Sequence, residues 1–267
     1  MKTGGMPRLV RAETRRLLTT ALWKWALLAA LLCGGGLTAL TALVGPENFD
    51  PPLPGLGTDE GLRTVLALPA LTVIVPALFG AMAMTSEYRH STITSTFLFA
   101  PRRHTVLTAK LLVHAAAGLV YGLVVAASAA IGLYAALAVR GVGADAGTVA
   151  GLLLRVVAAM AVYTLLGVGV GALIRNQTTT LIALGLYLYS IEYALALIPG
   201  VGRVYPYLPG GATAALTDFT LIREAAAEAS LPMAAPLSPV AGAAVLAAYA
   251  LMAGALAVAL PLRRDVT

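Results

Sequence analysis

Six long apolar segments dominate this chain of 267 residues. Their predicted limits are residues 23–44, 65–84, 111–139, 156–174, 178–198 and 240–262. A helix needs about 20 apolar residues to cross the hydrocarbon layer of a bilayer. Only helices and closed barrels satisfy their backbone hydrogen bonds in lipid, and a barrel would alternate apolar and polar residues over short strands. The sequence therefore predicts an all-α, polytopic membrane protein with six transmembrane helices.

Composition gives no support for a separate soluble domain. Hydrophobic residues make up 59% of the chain and charged residues only 11%, which leaves too little polar surface for a globular domain in water. Residues 1–267 are therefore predicted to form a single transmembrane domain. Within it, residues 1–22 are predicted to be an amphipathic segment on the cytoplasmic side, 86–110 a cytoplasmic loop and 199–239 an outer loop.

The positions of lysine and arginine predict the orientation, because cationic loops are retained on the cytoplasmic side. If the amino terminus is cytoplasmic, 13 of the 18 cations lie inside. The five cations that fall outside are Arg63, Arg140, Arg155, Arg203 and Arg223. We therefore expect both termini to be cytoplasmic in a multi-pass protein of the plasma (cytoplasmic) membrane. Anionic membrane lipid then accounts for the net charge of +6, and no nucleic-acid partner is required.

Two outer loops differ in composition. Residues 45–64 are rich in proline and glycine, which predicts turns and extended backbone. Residues 213–230 have a helix-forming composition, with Leu216, Phe219 and Ile222 three residues apart. This spacing predicts one short amphipathic helix at the outer membrane interface, and the alternative is a solvated helix with no transport role.

The segment between the second and third spans has a characteristic order of residue types. It contains Glu87, Tyr88, Arg89, Ser91, Thr92, Pro101, Arg102, Arg103 and, at the start of the third span, Lys110. This pattern resembles the permease subunits of the type-2 ATP-binding-cassette transporter family. The resemblance extends over the whole chain, since the basic amphipathic segment 7–18, the six spans and the long outer segment before the last span match the family layout. One position differs: the family commonly has Gly before the Thr, and this chain has Ser91.

In that family the loop after the second span is a coupling helix that contacts a nucleotide-binding subunit. The resemblance therefore implies that Glu87, Arg89, Thr92, Arg102 and Arg103 couple this chain to a separate ATPase. It also implies a dimer of two permease subunits, identical or different, that enclose one export pathway. The scarcity of charge in the spans and the family precedent favour an apolar or amphipathic substrate such as a drug, lipid or peptide. Alternatively, these charges serve only as determinants of topology.

The chain lacks the motif of a P-loop ATPase, a glycine-rich turn that ends in Lys-Ser or Lys-Thr. Its lysines are Lys2, Lys24 and Lys110, and none follows such a turn. We therefore expect no enzymatic activity, cofactor or metal in this chain, with ATP and Mg²⁺ bound by the partner. The alternative functions are a membrane scaffold or immunity protein without transport and, disfavoured by the missing motifs, an intramembrane enzyme.

Ionisable residues within spans are costly and are candidates for function. Glu192 follows a long apolar run, and it either faces a substrate pathway or pairs with Arg155 or Arg203 in a structural role. Lys24 and His114, near the cytoplasmic ends of their spans, are predicted to lie at the membrane interface.

Glycine pairs at four-residue spacing allow two helices to approach closely. Gly118 and Gly122 form one such pair in the third span, and Gly167 and Gly171 form another in the fourth. These residues are predicted to serve helix packing, either within one subunit or at a dimer interface.

Overall fold

The computed structural model describes residues 5–50, 52–90, 92, 103–198, 201–228, 230 and 233–259. Helices and turns account for the described residues, and no strand occurs among them. The helices are α1 (Met6–Thr19), α2 (Leu22–Val44), α3 (Asp59–Arg89), α4 (Arg103–Arg140), α5 (Ala146–Ile174), α6 (Gln177–Ala196), α7 (Pro209–Thr217), α8 (Leu221–Glu228) and α9 (Pro239–Ala259). Six of them, α2 to α6 and α9, are long and apolar enough to cross a membrane. The predicted all-α chain with six potential membrane-spanning helices is confirmed.

Several helices extend beyond the apolar segments that predicted them. α3 begins at Asp59, where the Thr58 side chain accepts a hydrogen bond from Gly61 N at 3.0 Å. α5 begins at Ala146 because Asp145 caps it, accepting from Thr148 N at 2.6 Å. Side-chain caps satisfy the free N–H groups of a first helical turn, so a helix can start in polar sequence. The assignment of residues 59–64 and 103–110 entirely to loops was therefore wrong.

Helix α5 lies at the centre of the bundle, packed against α3, α4 and α9. Small residues allow these close contacts. A Cβ atom on Gly80 of α3 would lie 2.0 Å from Thr164 O of α5, and one on Gly169 of α5 would lie 2.7 Å from Ala253 Cβ of α9. Without side chains between them, the backbones approach closely and gain dispersion contacts, which drive helix association in lipid.

Helices α2 and α6 lie at the periphery and each contains a π-helical turn, at Leu32–Gly36 and Tyr187–Ile191. In α2 the turn places Gly34 against α4, where an added Cβ would lie 2.3 Å from Val125 O. The outward face of α2 is apolar and exposed, as Trp25 shows with 67% of its surface accessible. Such a surface is suited to contact with lipid or with another apolar protein surface.

Different connections lie at the two ends of the bundle. One end, here called the basic end, carries α1, the α3–α4 connection and the α5–α6 connection. The opposite end carries the α2–α3 and α4–α5 connections together with α7 and α8. There Arg140 donates to Glu47 and, at 3.2 Å, to Ala42 O, which ties the end of α4 to the end of α2.

The segment 213–230, predicted to contain a short helix, contains parts of two. The chain forms α7 and α8, because Asp218 ends α7 with a φ of 56°, in the left-handed region that terminates helices. Leu216 and Phe219 are only 5% and 8% exposed and pack inside the protein. α7 therefore packs against α9 and α5.

Candidate functional site

Four charged side chains from three helices meet at the basic end and form the charge cluster: Glu13 and Arg16 of α1, Glu87 of α3 and Lys110 of α4. Lys110 Nζ lies 2.7 Å from Glu13 Oε2 and 2.5 Å from Glu87 Oε1, and it donates to Ala83 O at 3.2 Å. Arg16 also donates to Glu87 Oε1, and it lies 3.3 Å from Glu13 Oε1. The cluster joins the amphipathic helix to the ends of the loop between the second and third spans.

Burial makes this cluster unlike an ordinary surface ion pair. Lys110 is 1% exposed, Glu87 2% and Glu13 6%, whereas the Arg16 side chain remains 42% exposed. Two carboxylates and two cations leave the cluster neutral, which is what a poorly solvated site requires. One acceptor stays open, since Glu87 Oε2 has no hydrogen-bond partner among the described residues.

His114 lies one turn further into α4 and is 2% exposed. Its Nδ1 is 2.9 Å from Lys110 O, and its ring centroid is 5.9 Å from that of Phe79 in α3. The side chain is enclosed between α3 and α4, and its position at the membrane interface stays a prediction. Lys24 is exposed beside Trp23, with Nζ 5.8 Å from the ring centroid.

The residues predicted to couple the chain to an ATPase lie in different environments. Glu87 is inside the charge cluster rather than at the surface. Arg89 is exposed, and its Nη1 lies 3.5 Å from Gln177 Oε1 in α6, while Thr92 Oγ1 lies 3.5 Å from Glu87 O. Arg102 lies outside the described residues. Arg103 is the first residue of α4, and its side chain lies outside the described part of the structure.

A polar cleft of about 500 Å³ opens at the basic end beside Arg89. It is also lined by Tyr88 and by the α5–α6 connection, which contains Arg175. Arg175 has a φ of 61° and its guanidinium carbon lies 5.8 Å from the centroid of the Tyr88 ring. Its Nε and Nη2 are buried without a hydrogen-bond partner among the described residues. The cleft therefore presents the positive charge of Arg89 and Arg175.

Glu192 lies at the opposite end of the bundle and caps the start of α7. Its side chain is 1% exposed, and Oε1 accepts from Gly210 N and, at 3.3 Å, from Gly211 N at the start of α7. A carboxylate at a helix amino terminus is stabilised by the free N–H groups and the helix dipole. The predicted pairing with Arg155 or Arg203 is absent from the described residues, so this interpretation was wrong.

Arg155, which was considered as a partner of Glu192, pairs with Asp218 instead. Asp218 Oδ2 lies 2.8 Å from Arg155 Nη1 of α5 and 2.8 Å from Arg63 Nη1 of α3. Between these two anchors, Tyr163 of α5 hydrogen-bonds Thr213 at 2.9 Å. α7 is therefore held at its start, middle and end by the membrane helices.

The four glycines singled out in the sequence lie at contacts within the chain. An added Cβ on Gly118 would lie 2.7 Å from Thr164 Oγ1, and one on Gly122 would lie 2.9 Å from Val157 Cα, both in α5. On α5 itself, an added Cβ on Gly167 would lie 1.9 Å from Ala77 O and one on Gly171 would lie 2.8 Å from Ala81 O, both in α3. These faces are covered by the chain's own helices.

Glu13 was not identified from the sequence. The signal available was that it is the only acidic residue in the basic segment 7–18, which carries Arg8, Arg11, Arg15 and Arg16. An isolated acid within such a segment indicates a specific cationic partner, yet Lys110 is 97 positions away and only the fold brings the two together.

A scan of the chain against protein-family models and a search of curated proteins both find no match.

Proposed function

We propose that this chain is the transmembrane permease subunit of an ATP-driven exporter, coupled to a separate ATPase through the loop after the second span. Two such subunits would form the translocation pathway for an apolar or amphipathic substrate, such as a drug, a lipid or a peptide. The basic end would face the cytoplasm, in accordance with its excess of lysine and arginine.

The observation that carries this proposal is the buried ion pair between Glu87 and Lys110. Glu87 lies in the last turn of α3 and Lys110 about two turns into α4, on either side of the loop, and their charged atoms are 2.5 Å apart. A force applied to the loop would act directly on α3 and α4, and through Glu13 and Arg16 on α1. A change in the pairing of these four charges would therefore shift three helices together, as a coupled transporter requires.

The polar cleft supports the same conclusion. Arg89 and Arg175 place two positive charges beside the loop. Complementary charge steers association and fixes orientation between protein surfaces. A partner with an acidic surface would be recognised here, next to the cluster that its movement would displace.

Co-purification tests the proposal. The tagged chain is extracted from its native membrane in a mild detergent, and bound proteins are identified by mass spectrometry and assayed for ATP hydrolysis. We expect a P-loop ATPase to be retained. Arg102→Glu combined with Arg103→Glu should abolish its capture and any stimulated hydrolysis. The matched control, Arg203→Glu combined with Arg223→Glu, makes the same charge change at the opposite end and should leave capture intact.

Failure of the intact chain to retain an ATPase from its native membrane would overturn the exporter proposal. The alternative of a scaffold or immunity protein without transport would then account better for a six-helix chain. Equal loss of capture in both double variants would show that folding, rather than the loop, had been disturbed.

A further inference from the structure

An apolar cavity of about 380 Å³ lies at the basic end, between α1, the start of α2 and α4. Its volume is within the range of about 300–1,000 Å³ that is typical of small-molecule sites. Among the residues that form its walls are Val10 and Leu17 of α1, Trp23 and Leu27 of α2, and Ala117 and Val120 of α4. A cavity with such walls offers few polar partners to water, and an apolar chain would fill it more favourably.

The cavity borders a surface with strong positive charge. Arg8, Arg11 and Arg15 are all exposed on α1 at a spacing of three and four residues, so they form one stripe along the helix. At 100° per residue, this stripe lies beside Leu18 at the edge of the cavity, whereas Val10 and Leu17 line the cavity about 140° away around α1. An apolar cavity next to a row of cations is complementary to a molecule with an acyl chain and an anionic head.

Lipid is the natural source of such a molecule, because the six long helices make this a multi-pass membrane protein. Basic amphipathic helices lie in the membrane interface and attract anionic headgroups. Trp23 at the cavity wall, with the exposed Lys24 beside it, is typical of residues at that depth.

We propose that this cavity binds one acyl chain of an anionic phospholipid, whose phosphate contacts Arg8, Arg11 and Arg15. The bound lipid would join α1 to α4 on the side of α1 next to the charge cluster. Since α1 contributes Glu13 and Arg16 to that cluster, anionic lipid would stabilise the cluster as well. This site is a property of the chain by itself and does not require the proposed ATPase.

Native mass spectrometry of the purified chain in detergent provides the test. Phosphatidylglycerol and phosphatidylcholine with identical acyl chains are titrated separately, with a free fatty acid as a third ligand. We expect phosphatidylglycerol to bind most tightly. Arg8→Gln, Arg11→Gln and Arg15→Gln together should weaken its binding by roughly fivefold per cation, or about 100-fold in all, to the level of phosphatidylcholine.

Filling the cavity should remove the site altogether. Val120→Trp, at a wall residue that is half exposed, should abolish the binding of both phospholipids, and Ala117→Trp is a second variant with the same expected result. Leu123→Trp is the matched control, since this α4 residue is 54% exposed and does not line the cavity. Thermal unfolding establishes that each variant is folded.

Four results would overturn the proposal. The first is unchanged phosphatidylglycerol binding in folded Val120→Trp protein, and the second is equal binding of phosphatidylglycerol and phosphatidylcholine to the unmodified chain. The third is crosslinking that places a second copy of the chain over the cavity in a bilayer, and the fourth is tighter binding of the free fatty acid than of phosphatidylglycerol.

Discussion

Replacing Lys110 by methionine should destabilise the protein strongly, because Lys110 is the buried cation of the charge cluster. The change removes contacts of 2.7 Å and 2.5 Å to Glu13 and Glu87 and a hydrogen bond to Ala83 O. The two carboxylates would then share only Arg16, and the cluster would carry one uncompensated negative charge. Removing one member of a buried ion pair costs about 3–5 kcal/mol, a change of roughly 10²–10⁴-fold in the folding equilibrium.

The assay is unfolding of the purified variant in detergent by denaturant, followed by tryptophan fluorescence. Lys24→Met is the matched control, because Lys24 is an exposed lysine at the same end, and its loss should cost less than about 1 kcal/mol. Lys110→Met combined with Glu87→Gln restores a neutral cluster. The double variant should therefore lose less stability than the sum of the two single variants.

Hydrogen exchange provides an independent measurement of the same change. Because Glu13 holds α1 against α4, exchange in α1 should accelerate in Lys110→Met and remain slow in Lys24→Met. A loss below about 1 kcal/mol for Lys110→Met, or simple additivity with Glu87→Gln, would refute the conclusion that the four charges act as one buried unit.

Three further changes test other parts of the structure. Gly167→Ala would place a Cβ 1.9 Å from Ala77 O and should cost about 1–3 kcal/mol in denaturant unfolding, whereas Gly151→Ala in the same helix meets nothing within 4 Å and should be neutral or stabilising. Glu192→Ala leaves Gly210 N and Gly211 N without their acceptor and should lower the unfolding midpoint more than Glu192→Gln does; equal effects would contradict the capping role. The hydrogen bond from the Thr148 N–H holds the pKa of Asp145 below its ordinary value of 3.8. The ionised Asp145 cap therefore stabilises the fold above that pH, and this contribution is lost as the pH falls through the lowered pKa. Asp145→Asn keeps the cap and should remove this acid-dependent loss, which unfolding measured along a pH series would detect.

The sequence was sufficient to predict the number and type of the long helices but not their ends. An apolar run of about 20 residues is a strong local signal, because lipid imposes it on every spanning helix. The first turns of α3 and α4 are polar, so hydropathy assigned them to loops, although Thr58 caps α3 and α4 begins at Arg103. In the last outer segment, the spacing of Leu216 and Phe219 predicted a helical period correctly, but not the interruption at Asp218.

The candidate site could be predicted only in part, because it depends on contacts between residues that are far apart in the sequence. Glu87 and Lys110 both stood out as charges at the ends of apolar segments, yet nothing local indicates that they meet. Glu13 belongs to a helix that precedes the first span, and its contact with Lys110 depends on the packing of α1 against α4. Similarly, Glu192 was recognised as a costly buried charge, but its partners are backbone N–H groups, which every residue type except proline supplies.

The central position of α5 has a consequence for biosynthesis. α5 leaves the ribosome before α9, which covers its Gly169 face. That face would therefore stay uncovered until α9 has been synthesised. A chain arrested before Pro239 would have an unfilled groove on α5, and quality-control proteases would have a defined surface by which to distinguish it from the complete bundle.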